Sequence, residues 1–151
     1  MTINYRVAAI SDLPILLELV EEFHETEQLP FNKTIDREVI ANFLSDASLG
    51  QLWLIQLESE VIGYIMVTFG YSLEYRGRDA LIDEFYLCPP YRRQGIGTKT
   101  LAFAEDACRV SGVQALHLEV DFKNPDAQRL YHRTGYQSHE RILMTKQLVD
   151  F

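Results

Sequence analysis

Residues 80–108 read ALIDEFYLCPPYRRQGIGTKTLAFAEDAC, and this stretch decides the fold. Its first part, 80–88, is apolar and aromatic apart from two adjacent acids, Asp83 and Glu84, and reads as a strand. Pro89 and Pro90 end it, because proline has no N–H for a ladder. A glycine-rich turn follows: Arg92, Arg93, Gln94, Gly95, Ile96, Gly97, Thr98. From Thr98 onward Leu101, Ala104 and Cys108 recur at helical spacing. A glycine-rich turn between a buried strand and a helix presents bare backbone N–H groups, and the helix N-terminus adds roughly half a positive charge there. The combination points to a site for a phosphate-bearing cofactor.

Three phosphate templates compete for this turn. A nucleotide P-loop requires G-x-x-x-x-G-K-[ST], but Lys99 stands two residues past Gly97 and no glycine precedes it at the required spacing. The dinucleotide fingerprint requires G-x-G-x-x-G/A after an early strand; position 100 is Thr and the turn follows the fourth strand. The third template, R-x-x-G-x-G, fits Arg92 through Gly97.

Upstream, residues 3–9 read as a strand. Ser11, Asp12 and Pro14 mark a helix start, and Leu13, Leu16, Leu17, Val20 and Phe23 form one apolar stripe to about residue 25. A second helix is expected over 36–45, with Val39, Ile40, Phe43 and Leu44 inward. Residues 51–57 and 61–69 read as a hairpin around a tight turn at 58–60, with Gly63 marking a bulge or a close backbone approach. Residues 70–79 read as a polar loop. Downstream, Ser111 and Gly112 stop the helix, and 115–120 is a strand. Asn124 and Pro125 open another helix carrying Ala127, Leu130 and Tyr131, which ends at Gly135. Two strands, 136–139 and 142–148, are expected to close the chain. The alternation of elements predicts a mixed α/β or α+β sheet in one domain, residues 1–151.

Composition bounds the function. With 151 residues, 47% apolar and 24% charged, the chain is an ordinary globular domain. No apolar run approaches the ~20 residues of a membrane span. The N-terminal MTINYRVAAISD lacks the basic and apolar regions of a signal peptide, and with only Cys88 and Cys108 a cytoplasmic chain with reduced thiols is expected. Neither the cysteines nor His24, His117, His132 and His139 have metal-ligand spacing, so no metal is expected; the histidines read as surface or core residues. The net charge of −8 disfavours nucleic acid and mildly favours a cationic partner. Against that acidity, Arg92 and Arg93 adjoin the glycine turn, as an anion site requires.

The strand-turn-helix with YRRQGIG, and a second block N-P-D-A-Q-R-L-Y-H-R-T-G-Y at 124–136, resemble the GNAT superfamily of N-acetyltransferases over essentially the whole chain. The resemblance implies a mixed, mostly antiparallel sheet of six to seven strands, splayed at the signature strand and flanked by about four helices. It implies acetyl transfer from acetyl-CoA to a primary amine, by direct attack in a ternary complex, without metal. A small-molecule amine, polyamine-like, or a peptide amine is the acceptor implied, and a homodimer the assembly. The alternative is a non-catalytic acyl-CoA-binding sensor or regulatory domain of the same fold.

The resemblance also implies roles. The backbone of Arg93, Gln94, Gly95, Ile96, Gly97 and Thr98, with Arg92, would bind the CoA pyrophosphate. Leu87, with Phe85 beside it, would meet the pantetheine arm, and Asn124, Ala127 and Tyr131 would contact the cofactor. Asn124 fits a helix cap equally well. Tyr131 is the implied general acid for the leaving sulfur. Either Asp83 or Glu84 is the base or amine-binding carboxylate, depending on whether a bulge turns the strand. Phe23, Glu27, Phe31, Tyr71, Glu74 and Tyr75 are candidate acceptor contacts, since acids and aromatics together suit an ammonium group.

Overall fold

The structure, a computed structural model, describes residues 2–150. It divides into two compact units, one through Glu119 and one from Val120. The first contains β1 (Ile3–Val7), α1 (Leu13–Thr26), α2 (Lys33–Leu44), β2 (Gly50–Leu57), β3 (Glu60–Ser72), β4 (Gly77–Leu87), α3 (Ile96–Val110) and β5 (Ala115–Leu118). Five strands lie in the order β1-β2-β3-β4-β5. All neighbours are antiparallel except β4 and β5, which are parallel because α3 crosses over between them.

Two apolar clusters cover the sheet. Leu16, Leu19 and Val20 of α1 and Phe43 of α2 pack on Leu52, Leu54, Tyr64 and Tyr86. Ile96, at the start of α3, packs with Ile3, Ile55 and Ile62, and Phe85, Leu87 and Tyr91 gather round it. Tyr86 and Phe85 therefore serve opposite clusters, as strand alternation demands.

The structure corrects several expectations. The second helix begins three residues earlier, at Lys33, because Asn32 caps it by accepting from the Thr34 and Ile35 N–H groups. Val39 points outward, 58% exposed. Asp12 does not cap α1; its carboxylate accepts from the Ala9 N–H and the Arg6 guanidinium. The supposed polar loop at 70–79 is mostly ladder: Gly70 pairs with Asp79, and Tyr71 with Arg78, so β3 and β4 form one long hairpin. Arg78 lies 4.6 Å over the Phe69 ring, covering apolar area the local pattern leaves open.

Gly63 shows both features expected of it. A bulge sets it opposite Ile55 while Val61 faces Gln56, leaving Ile62 as the extra residue. A Cβ on Gly63 would stand 2.2 Å from the Tyr86 carbonyl oxygen. The obstacle is backbone, so Gly63→Ala will destabilise the fold by about 2 kcal/mol through overpacking. A urea midpoint unchanged from wild type would contradict this.

The second unit holds α4 (Pro125–Arg133), capped by Asn124, whose side chain accepts from the Ala127 N–H at 3.1 Å. The helix stops at Gly135, whose φ of +104° lies in the left-handed region. Among the described residues after it there is no strand, so the expected strands at 136–139 and 142–148 do not form. Their apolar side chains Ile142, Leu143, Met144 and Leu148 are exposed. A strand needs a ladder partner, and this unit offers none. No helix among the described residues is long and apolar enough to cross a membrane.

Candidate active site

The glycine turn forms as the sequence predicts. Gly95 caps α3 with φ +82°, and Arg93 also takes a left-handed φ of +62°. These two reversals bring the chain from β4 into the helix. Ile96, 2% exposed, pins the turn from below, while Gln94 donates to the Pro90 carbonyl. The helical ladder opens with the Lys99 N–H on the Gly95 carbonyl. Among the described residues, the amides of Arg93 through Thr98 donate to no carbonyl or side chain, so they remain available to an anion.

Beside this turn the sheet splits. β4 pairs with β5 only from Asp79 to Ile82, so among the described residues the β5-facing edge of Asp83–Leu87 has no ladder partner. An extended ligand can pair there as an added strand. The Leu87 carbonyl accepts from Arg92 Nε at 2.7 Å, and Arg92 also lies 5.5 Å over the Tyr86 ring. With two lone pairs, this carbonyl can accept from a ligand N–H as well as from Arg92.

The split begins at a second bulge. Met66 pairs with Glu84 and Val67 with Ile82, leaving Asp83 as the unpaired extra residue. The two acids therefore have different surroundings. Glu84 points toward α1 with both oxygens engaged: Oε2 with His24 Nε2 at 2.6 Å, and Oε1 with the Tyr64 hydroxyl, which donates at 2.7 Å. Tyr64 is wholly buried, and Glu84 supplies the acceptor its hydroxyl requires. Burial, with the Glu84 charge second, pushes the Tyr64 phenol far above its ordinary value. Among the described residues no side chain hydrogen-bonds Asp83. Its carboxyl reaches solvent but has enough protein around it that desolvation raises it, while His24 pulls the other way.

His24 is the site residue that sequence reading missed. Leu17, Val20 and His24 fall at i, i+3 and i+7, which puts the imidazole on the inward face of α1. That position was the available signal. Glu22 was missed too: it accepts from the Tyr86 hydroxyl at 3.0 Å. Burial, then that contact, pushes the Tyr86 phenol up to about 12.

Of the proposed acceptor contacts, Phe23 and Phe31 lie edge-on to His24, with ring centroids at 5.9 and 6.3 Å. Glu27 is exposed where α1 ends. Tyr71, Glu74 and Tyr75 sit at the far tip of the β3–β4 hairpin, six residues from Glu84 to Arg78, or roughly 20 Å at strand rise. Tyr75 lies edge-on to His117 there, with ring centroids at 4.9 Å. An open groove of about 380 Å³ runs between α1 and α2, with Glu18, Glu21, Glu22 and Glu25 facing Lys33 and Arg37.

In the second unit Tyr131 is half-buried on α4, its ring 6.0 Å from that of Tyr136. Desolvation raises its phenol, so it stays protonated at neutral pH. Cys108 is buried and its thiol is pushed up to about 11, also by desolvation, which makes it unreactive.

A mixed sheet split beside a phosphate-ready turn defines a scaffold for a ligand with an anionic head and an extended arm. Residues 16–136 match the acetyltransferase (GNAT) family, and the chain belongs to it. It is 39% identical over 84 residues to an aminoalkylphosphonate N-acetyltransferase of Salmonella typhimurium, spanning 55% of this chain and 54% of that one. It is 28% identical over 141 residues to the thialysine N-epsilon-acetyltransferase of Bos taurus, spanning 87% and 82%. The integron cassette protein HFX_CASS3, from the mobile metagenome of Cole Harbour Salt Marsh, superposes with a TM-score of 0.86 at 30% identity, over 97% of this chain and 91% of that one.

Proposed function

We propose that this protein transfers an acetyl group from acetyl-CoA to a primary amine, by direct attack in a ternary complex. The observation that carries the reading is the run of unbonded amides from Arg93 to Thr98 at the α3 N-terminus, beside the unpaired edge of β4. The amides bind the pyrophosphate and the free edge takes the pantetheine arm, with Phe85 and Leu87 beneath it. Asn124 and Ala127 are read as further cofactor contacts. The attacking amine nitrogen forms the new bond to the acetyl carbon. The bond from that carbon to sulfur then breaks, and the sulfur takes a proton from the Tyr131 hydroxyl. Asp83 meets the incoming amine.

The acceptor is a small cationic amine. The groove on α1 presents four glutamates against two cations, and the aromatic rings of Phe23 and Phe31 suit an ammonium group. Relatives named for aminoalkylphosphonate and thialysine fit that class. A screen of small diamines, amino acids, aminoalkylphosphonates and peptides with acetyl-CoA, read by thiol release, tests the reading. Binding of CoA without thiol release from any amine would instead make the chain a non-catalytic acyl-CoA sensor. We also read the chain as a homodimer, because Ile142, Leu143, Met144 and Leu148 leave apolar area for a partner to cover; light scattering on the eluting protein checks this.

Gly95→Val will weaken acetyl-CoA binding about tenfold, roughly 1.4 kcal/mol. Nothing crowds a Cβ at this position, so the cost comes from the left-handed φ, which valine resists and which aims the amides. Unchanged calorimetric affinity would remove the turn from the cofactor site.

A further inference from the structure

The side chains around His24 form a closed arrangement that the reaction scheme above does not use. His24 Nδ1 lies 3.0 Å from the Pro30 carbonyl, which can only accept, so Nδ1 carries a proton and Nε2 is the nitrogen that titrates. Nε2 faces Glu84 Oε2 at 2.6 Å, a charge-assisted distance. The groups facing the imidazole are Glu84 and Asp83 from β4, Asp36 from α2 and the Pro30 carbonyl, with Tyr64 of β3 reaching it through Glu84. No cation faces it among them. Burial opposes a charge on His24, but the Pro30 carbonyl and the Glu84 and Asp36 carboxylates outweigh it, and the imidazole titrates above its ordinary value.

We propose that His24 is a positioning residue of the acceptor site: with Tyr64 it holds Glu84 and neutralises it, leaving neighbouring Asp83 as the anion that receives the amine. The inference rests on the amine-transfer reading. Its physical core is that two adjacent carboxylates compete for a proton unless one is compensated. Glu84 is compensated by the imidazolium, and Asp83, lifted out of the ladder by the bulge, is left without a hydrogen-bonding side chain. The direction with pH follows. The imidazolium is present below the raised His24 midpoint, and the compensation is lost as pH rises through it. Asp83 needs it most on the acid side, where a proton would otherwise neutralise it.

The test has two arms on the full chain. In the first, the Asp83 carboxyl is titrated by carbon NMR in wild type, His24→Gln, and His24→Gln with Glu84→Gln. The Asp83 midpoint will rise by about half a unit or more in His24→Gln, where an uncompensated Glu84 stands beside it, and return toward wild type in the double variant. An unmoved midpoint in His24→Gln overturns the proposal. If that variant does not fold, Glu84→Gln alone decides: with the imidazolium kept and the neighbouring anion gone, the Asp83 midpoint must fall, and no change is fatal. In the second arm, the ratio of wild-type to His24→Gln kcat/KM for the amine will be larger at pH 6 than at pH 8. A ratio independent of pH would assign His24 a merely structural role and overturn the proposal. Absence of transfer with every amine would overturn the transferase reading, and the NMR midpoints would then decide His24 alone.

Discussion

Tyr131→Phe will lower kcat by about 100-fold or more, the usual contribution of a positioned general acid, with acetyl-CoA affinity nearly unchanged. The variant removes one oxygen and keeps the ring, so the apolar contact with Tyr136 survives and the fold is not at issue. The Asn124 cap and the Tyr136 N–H on the Tyr131 carbonyl also remain, since neither uses the hydroxyl. On the proposed scheme, what is lost is the proton that makes the CoA sulfur a good leaving group. Desolvation raises the Tyr131 phenol, so wild-type activity that depends on it will persist through neutral pH and decline only on the alkaline side of the ordinary tyrosine value of about 10. Single-turnover measurements separate this from product release. Equal kcat in the two proteins would remove Tyr131 from the chemistry.

Asp83→Asn will cut kcat/KM for the amine by about 100-fold, while acetyl-CoA binding stays as in wild type. The side chain is exposed and, among the described residues, meets no hydrogen-bonding side chain, so its loss costs little stability. The loss belongs to amine capture and deprotonation: an amine near pKa ~10 arrives protonated at pH 7 and needs an anion to meet it. Glu84→Gln makes the contrast. It disturbs His24 and Tyr64, so stability falls, but activity at pH 8 stays within about tenfold of wild type. The reverse ranking of the two variants would make Glu84 the acceptor carboxylate.

Much of this site was legible in the chain itself. Pro89 and Pro90 had to end β4, and R-x-x-G-x-G had to open α3, because backbone chemistry leaves few alternatives at those residues. The apolar stripe of α1 was equally plain. Other features were not legible because they depend on partners distant in sequence. Tyr71, Glu74 and Tyr75 looked like a polar loop near the acceptor, but cross-strand pairing with Gly77–Asp79 carries them to the far end of a hairpin. The strands expected at 136–139 and 142–148 have suitable residues, but a ladder needs a neighbour and none is present in their unit.

The sequence by itself determined the glycine turn, the strand before it, the family, and the pair of adjacent acids on that strand. Those follow from local rules: where an N–H is missing, where a Cβ is absent, and where apolar residues repeat. Only the tertiary structure distinguished Asp83 from Glu84. A bulge one residue long changes which face a side chain occupies, and whether a carboxylate is free depends on what stands opposite it. Here that is His24 and Tyr64, 60 and 20 residues away in the chain, and no local pattern encodes their meeting.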